Sequence, residues 1–348
     1  MSVEAVREAV RAGGLFARDR LVLVMLSGGR DSTCLLDVAV ALLGAPAVGA
    51  LHVNYGLREE ADEDERHCAG LCLELGVELE VVRIERASMP RPLSAPAAAA
   101  PAGEAQMPEP RERLSAEPSH GNMHAWAREL RYGHAQRIAG ERDALTATGH
   151  TASDQVETIL YRLAASPGRR ALLGMAAGEG RLIRPLLEIT REQTAAYCEA
   201  RGLSWREDES NDDERYARAR VRNGVVPALR TVHPAAEANV LRTAALLREE
   251  TQLLDGLVAE ELAGRSSVAI ARLRELPTAL ARMVVVRLAE DATGGYVPQA
   301  GDRVQEILAL AGRSPIGRGG RAELHVGGQA CAVIDNGVLE MVKLEPRQ

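Results

Sequence analysis

Three stretches of this 348-residue chain bring together side chains that do chemistry on phosphates. The first is Ser27-Gly28-Gly29-Arg30-Asp31-Ser32, between an apolar run at 21–26 and a helical pattern that starts at Thr33. Two glycines let a ligand approach the backbone with no side chain in the way. The turn then presents backbone N–H groups at a helix N-terminus, where the dipole favours an anion. Ser27 and Ser32 add two hydroxyls, and Arg30 a positive charge. The result is a phosphate cradle, though not of the Walker kind, which needs G-x-x-x-x-G-K-[ST]. The single lysine of the chain, Lys343, lies near its end. The second stretch is Gly149-His150-Thr151-Ala152-Ser153-Asp154-Gln155-Val156-Glu157-Thr158, again an apolar run opening into a helix. Asp31 and Asp154 are candidate Mg²⁺ ligands, because that cation takes carboxylate and phosphate oxygens. Asp154 alone would also read as an acid complementing a helix dipole. His150 reads either as a hydrogen-bonding group in the same pocket or as a turn residue. The third stretch, 215–230, holds five arginines and no acid.

These residues need a scaffold that gathers them. Apolar runs at 21–26, 47–53, 77–84 and 144–148 read as strands, and helical patterns separate them. Such alternation implies a parallel sheet with right-handed crossovers. In a sheet of that kind the ligand sits beyond the strand C-termini, which is where both motifs and the Asn54 loop fall. Thr190 is a fitting N-cap for a helix over 191–201, and Gly202 a fitting stop. From Tyr216 to about Ala311 the pattern is helical. The tail alternates around Asp335-Asn336-Gly337, which predicts a small terminal β-hairpin. The fold class expected is therefore α/β, a doubly wound parallel sheet over 1–220, followed by a smaller, mainly helical domain over 221–348. Residues 88–121 differ in kind, holding seven of the 16 prolines and no apolar periodicity. They read as a disordered insertion that the chemistry does not need.

Composition narrows the class. No run approaches the roughly 20 apolar residues of a membrane span, and the first 20 residues lack the apolar core of a signal peptide. Five scattered cysteines suit reduced thiols in a cytoplasm, and Cys68 and Cys72, four apart, read as packing. A net charge of −7 argues against a surface coated by nucleic acid. Two arginine-rich segments, 162–184 and 215–230, still allow one polyanion to dock at one face.

The motifs resemble known families. S-G-G-x-D-S is the signature of the PP-loop, or N-type ATP pyrophosphatase, superfamily, whose members split ATP between the α- and β-phosphates. Across about residues 20–235 the chain is similar to the tRNA(Ile)-lysidine synthetase family, in its short form. That likeness rests on SGGRDS (27–32), HVNYGLR (52–58), ARELRY (127–132), GHTASDQVET (149–158), RPLL (184–187) and the segment 197–222. It implies a ligase that uses ATP and Mg²⁺ to adenylate C2 of the wobble cytidine in the CAU anticodon of tRNA(Ile). Free L-lysine then displaces AMP to give lysidine. It further implies that Ser27, Gly28, Gly29, Arg30, Asp31 and Ser32 bind ATP. Asp31 and Asp154 would carry the metal-assisted chemistry, with His150 and Arg128 lining the pocket. Asp208, Ser210 and Asn211 would lie near lysine or nucleotide. Arg131, Arg215, Arg218, Arg220 and Arg222 would meet tRNA, with the helical region cradling the anticodon stem. Tyr55 and Ser153 depart from the residues common in the family. A homodimer is compatible with the sequence, as is a monomer.

Rival readings remain open at this point. A tRNA 2-thiolation enzyme would need a C-x-x-C pair or a thiolate-held cluster, and none is present in the sequence. A GMP-synthetase-like amidotransferase would need a glutaminase. A nucleotide-binding module without catalysis would have no need of both Asp31 and Asp154.

Overall fold

The computed structural model describes residues 2–17, 19–56, 60–84, 123–165, 168–206, 217–313 and 321–344. The insertion expected at 88–121 lies outside them. The chain divides into two compact units, Met1–Leu247 and Arg248–Gln348, and the expected division at 220/221 falls inside the first.

The first unit is built on a six-stranded sheet of order β3-β2-β1-β4-β6-β5. Its strands are β1 (Val22–Met25), β2 (Val48–Asn54), β3 (Glu78–Arg83), β4 (Leu145–Ala147), β5 (Gly178–Glu179) and β6 (Leu182–Ile183). All neighbours pair in parallel except the edge strand β5, which is antiparallel to β6. Alternate residues of a strand face opposite ways, and here each face has its own core. Val22, Val24, Val48 and Ala50 pack beneath helices α1 (Val3–Ala12), α2 (Arg30–Leu43), α3 (Ala61–Leu75) and α6 (Arg191–Arg201). Leu23, Met25, Leu51 and Val53 pack against Ala135 and Ile138 of α4 (Met123–Glu141). A strand buried on both sides needs a continuous apolar run, which explains VLVM at β1. The sheet is doubly wound, as the alternation of patterns implied.

The helix over Arg191–Arg201 has the expected ends. Thr190 and Gln193 form a capping box, and Gly202 closes the helix with φ +66°. Helix α5 (Ala152–Ala165) follows β4, and α7 (Ala217–Arg220) runs through a π-turn at Val221–Val225 into α8 (Val226–Val232).

Helix α9 (Ala236–Leu262) spans the division between the units. The second unit adds β7 (Ser267–Ala269), α10 (Ile270–Glu275), α11 (Thr278–Thr293), α12 (Val304–Arg313), β8 (Ala322–Gly327), β9 (Ala330–Asp335) and β10 (Val338–Lys343). The expected hairpin is present: Val338 pairs with Asp335 across Asn336 and Gly337, both at positive φ. That is the backbone a two-residue hairpin turn requires. Its strands belong to a larger antiparallel sheet, β7-β10-β9-β8. Strand β7 corrects the reading of 216–311 as helical throughout. Three residues are too few to register as a pattern, and their pairing with β10 is long-range.

Candidate active site

Strand β1 ends at Met25, and the chain turns through Ser27–Gly29 into α2. Gly28 adopts φ +82°, and an added Cβ would stand 3.2 Å from Cys68 Sγ. A side chain is therefore disfavoured there twice, by backbone strain and by space. Ser32 Oγ ties the turn together, accepting from Ser27 N at 3.2 Å and donating to Gly29 O at 2.8 Å. Gly29 is the N-cap of α2 and supplies no side-chain cap. The first-turn N–H groups are then left for an outside acceptor. Gly149, after β4, packs against the same turn. A Cβ there would lie 3.0 Å from Asp31 C and O and from Ser32 N. The two motifs are in backbone contact.

Asp31 and Asp154 occupy the carboxyl edges of neighbouring parallel strands, and one guanidinium spans them. Arg191 lies 3.9 Å from Asp31 Oδ2 and 3.2 Å from Asp154 Oδ1. It also donates to Glu157 Oε1 at 3.3 Å. Burial raises the Asp31 carboxyl above its ordinary range, and the nearby Asp154 charge adds to that. The hydroxyl of Thr194, which donates to Asp31 Oδ1, together with Arg30 and Arg191, offsets part of the rise.

Asp154 divides its work between its two oxygens. Oδ2 accepts from Thr151 N at 2.8 Å and Thr151 Oγ1 at 2.9 Å, which caps α5. Oδ1 faces Arg191 and Arg218, the latter at 3.1 Å. Burial alone would raise its pKa; Arg218, the Thr151 N–H and Arg191 overcome this and lower it. Asp154 thus caps α5 through one oxygen and pairs with two guanidinium groups through the other.

His150 accepts or donates through Nδ1 with Thr148 Oγ1 at 2.9 Å. Desolvation is the main cause that lowers its pKa to about 4, helped by Arg218, Arg128 and Arg184 against the pull of Asp154. At neutral pH the imidazole is uncharged. Arg128 lies over the Tyr132 ring at 4.6 Å. Its helix is fixed in part by Tyr55, whose hydroxyl donates to Ala127 O at 2.7 Å. Ser153 accepts from Arg191 N at 3.2 Å and so seats α6. Both hydroxyls thus hold neighbouring backbone in place.

The arginine segment divides by direction. The π-turn after α7 adds a residue to the helical turn, and Arg218 and Arg222 both reach buried Glu157, at 3.1 and 2.7 Å. Arg220 is on the exposed side, and Arg131 is half-buried on α4. Asp208, Ser210, Asn211 and Arg215 lie outside the described residues. The geometry adds residues that the sequence reading did not single out: Arg191, Thr194, Glu157 and Gln155. One signal for Arg191 was present, since an arginine in the first turn of a helix opposes the dipole. Its place there needs another reason, and Asp31 and Asp154 supply one.

A PP-loop domain model matches residues 3–229. The tRNA(Ile)-lysidine synthase of Salinispora arenicola is 38% identical over 269 residues, covering 73% of this chain and 70% of that protein. The chain belongs to the tRNA(Ile)-lysidine synthase family. The enzyme of that name from Pseudomonas syringae pv. tomato is 36% identical over 247 residues, covering 69% of this chain and 48% of that protein. This lysidine synthase family member thus spans about half the length of its Pseudomonas relative. Among solved structures, the U34-tRNA thiolase NcsA from Methanococcus maripaludis superposes with a TM-score of 0.52 at 16% identity, over 71% of this chain and 78% of that one. At that identity the likeness is one of fold. Among the described residues no helix is long and apolar enough to cross a membrane.

Proposed function

We propose that the chain catalyses the reaction of tRNA(Ile)-lysidine synthases. The wobble cytidine of the CAU-anticodon tRNA(Ile) is adenylated at its C2 oxygen by ATP. Free L-lysine then displaces AMP. The observation that carries this reading is the contact of two motifs at the carboxyl edges of β1 and β4, with one guanidinium spanning their carboxylates.

In the first step the C2 oxygen of cytidine bonds to the α-phosphorus, and the bond to the β-phosphate oxygen breaks. The N–H groups and hydroxyls of Ser27–Ser32 hold the departing pyrophosphate, and fixed dipoles of this kind cost no reorganisation as charge develops. His150, uncharged, offers a hydrogen bond without adding a proton to the acceptor base. Arg128 offers positive charge at the same edge. In the second step an amine of lysine bonds to C2, AMP leaves with the C2 oxygen, and the amine proton is lost. Asp31 and Asp154 fit Mg²⁺, which takes one or two carboxylates plus substrate phosphates, and a cation's charge is already accommodated between them. When bound, the ion would supply charge neutralisation at the transferring phosphate. Arg131, Arg220 and the second unit are the proposed tRNA-facing parts, and the proposed setting is the cytoplasm.

The test follows radiolabelled lysine from ATP and total bacterial tRNA into acid-precipitable RNA, beside Asp31→Ala. ATP-dependent labelling of the CAU-anticodon tRNA, lost in the variant, is the expected result. ATP split to AMP and pyrophosphate without label would keep the PP-loop chemistry and overturn the acceptor. No AMP at all would leave only nucleotide binding.

A further inference from the structure

Arg184 follows β6 and is 6% exposed. Its Nη1 donates to Ala176 O at 2.6 Å. Glu179, itself exposed, stands 4.0 Å from Nη2. Its Nε is buried and has no partner, and among the described residues no other carboxylate meets the group. A guanidinium removed from water, with an unpartnered Nε and a single exposed carboxylate at 4.0 Å, is costly to bury.

The neighbours deepen the deficit. Arg184, Arg128 and Arg218 are all close enough to His150 to act on its charge. Arg131, Arg218 and Arg184 act likewise on Arg128. The Nε of Arg131 is a second buried donor without a partner. Asp154, which also acts on His150, is already shared by Arg191 and Arg218. Arg128, Arg131 and Arg184 thus make three cations that no described carboxylate hydrogen-bonds.

We propose that Arg184, with Arg128 beside His150, forms a second anion subsite at the ends of β4 and β6, separate from the phosphate turn after β1, and that it takes a phosphate ester. The proposal rests on reading the chain as an enzyme of ATP and RNA. The ester has two sources, the α-phosphate of ATP and a backbone phosphate of the RNA, and arginine forks suit both. Arg184 acts as the buried anchor of the subsite, with its Ala176 bond fixing the plane of the guanidinium.

Full-length wild type, Arg184→Met, Arg184→Lys and Arg128→Met are compared after a thermal melt has established folding. ATP·Mg²⁺ binding is measured by calorimetry without RNA. Binding of bacterial tRNA is measured by filter retention across a salt series. The expected result is at least a tenfold loss for Arg184→Met in one of the two, largely restored by Arg184→Lys and echoed by Arg128→Met. If RNA is the source, the slope of log affinity against log salt falls by about one while ATP affinity holds. If ATP is the source, ATP affinity falls and the salt slope holds. Wild-type affinity for both ligands in folded Arg184→Met overturns the subsite; should that variant not fold, the same result in Arg128→Met does so. Lysine transfer does not enter these readouts. A chain that shows the Arg184 effect yet transfers no lysine keeps the subsite and loses the proposed reaction. A wild type that binds neither ligand overturns both.

Discussion

Glu157→Gln tests whether the three arginines behind Asp154 are held by one buried charge. The Glu157 side chain is 2% exposed and accepts from Arg191, Arg218 and Arg222. Glutamine keeps the volume but removes the charge and turns an acceptor oxygen into a donor facing guanidinium. Removing one partner of a buried ion pair costs about 3–5 kcal/mol. The arginine side chains are 23%, 42% and 25% exposed, so water recovers part of their solvation. We therefore expect a loss of about 2–3 kcal/mol. For a unit of this size that lowers Tm by roughly 4–12 °C. Urea titration and calorimetry measure it, and the double variant with Arg222→Met separates the pair from its surroundings, with a coupling of about 1 kcal/mol or more expected. A loss below about 0.5 kcal/mol, within the range of ordinary surface changes, would refute the reasoning that Glu157 anchors the cluster.

Three further outcomes follow from named contacts. Gly149→Ala places a Cβ 3.0 Å from the backbone of Asp31 and Ser32, which cannot swing aside. ATP affinity should fall at least tenfold, with a stability loss of about 1–3 kcal/mol by overpacking; unchanged calorimetric binding would refute the contact. Gly174→Ala, at φ +69° and with its Cβ 2.5 Å from Gln155 Oε1, should break the reciprocal Gln155–Met175 bonds of 2.8 and 2.6 Å. Its cost in urea titration should shrink in a Gln155→Ala background, and equal costs in both backgrounds would count against this. Asp37 is bonded by Arg201, Tyr197 and Arg7, which lower its pKa although burial opposes them. A lowered folded-state pKa contributes stability above the unfolded value of about 3.9 and loses it as pH falls through the folded value. Wild type should therefore exceed Asp37→Asn in stability most clearly at pH 6–7, with the gap closing below about pH 4; a gap independent of pH would rule out an ionised Asp37.

Much of the first unit was legible because its signals are local. Continuous apolar runs mark strands buried on both faces, as at Val22–Met25, and Thr190 with Gln193 marks a helix start by side-chain bonds within one turn. The Ser27–Ser32 turn stands out by composition, with two glycines and two serines at a strand-to-helix junction. Asn336-Gly337 did the same for the last hairpin. Pairings between distant segments were not legible. Nothing within Ser267–Ala269 says that it joins β10, and nothing around Arg191 or Thr194 names Asp31 as a partner. Arg218 and Arg222, four apart, share a helix face, but nothing in local composition says that this face meets Glu157. Residue type and short-range spacing thus determined the motifs and the sheet. Tertiary structure alone decided which arginines neutralise which carboxylates and which, like Arg184, no described carboxylate hydrogen-bonds. Charge pairing is a matter of distance in space, and the chain order holds that distance only where neighbours in sequence are also neighbours in the fold.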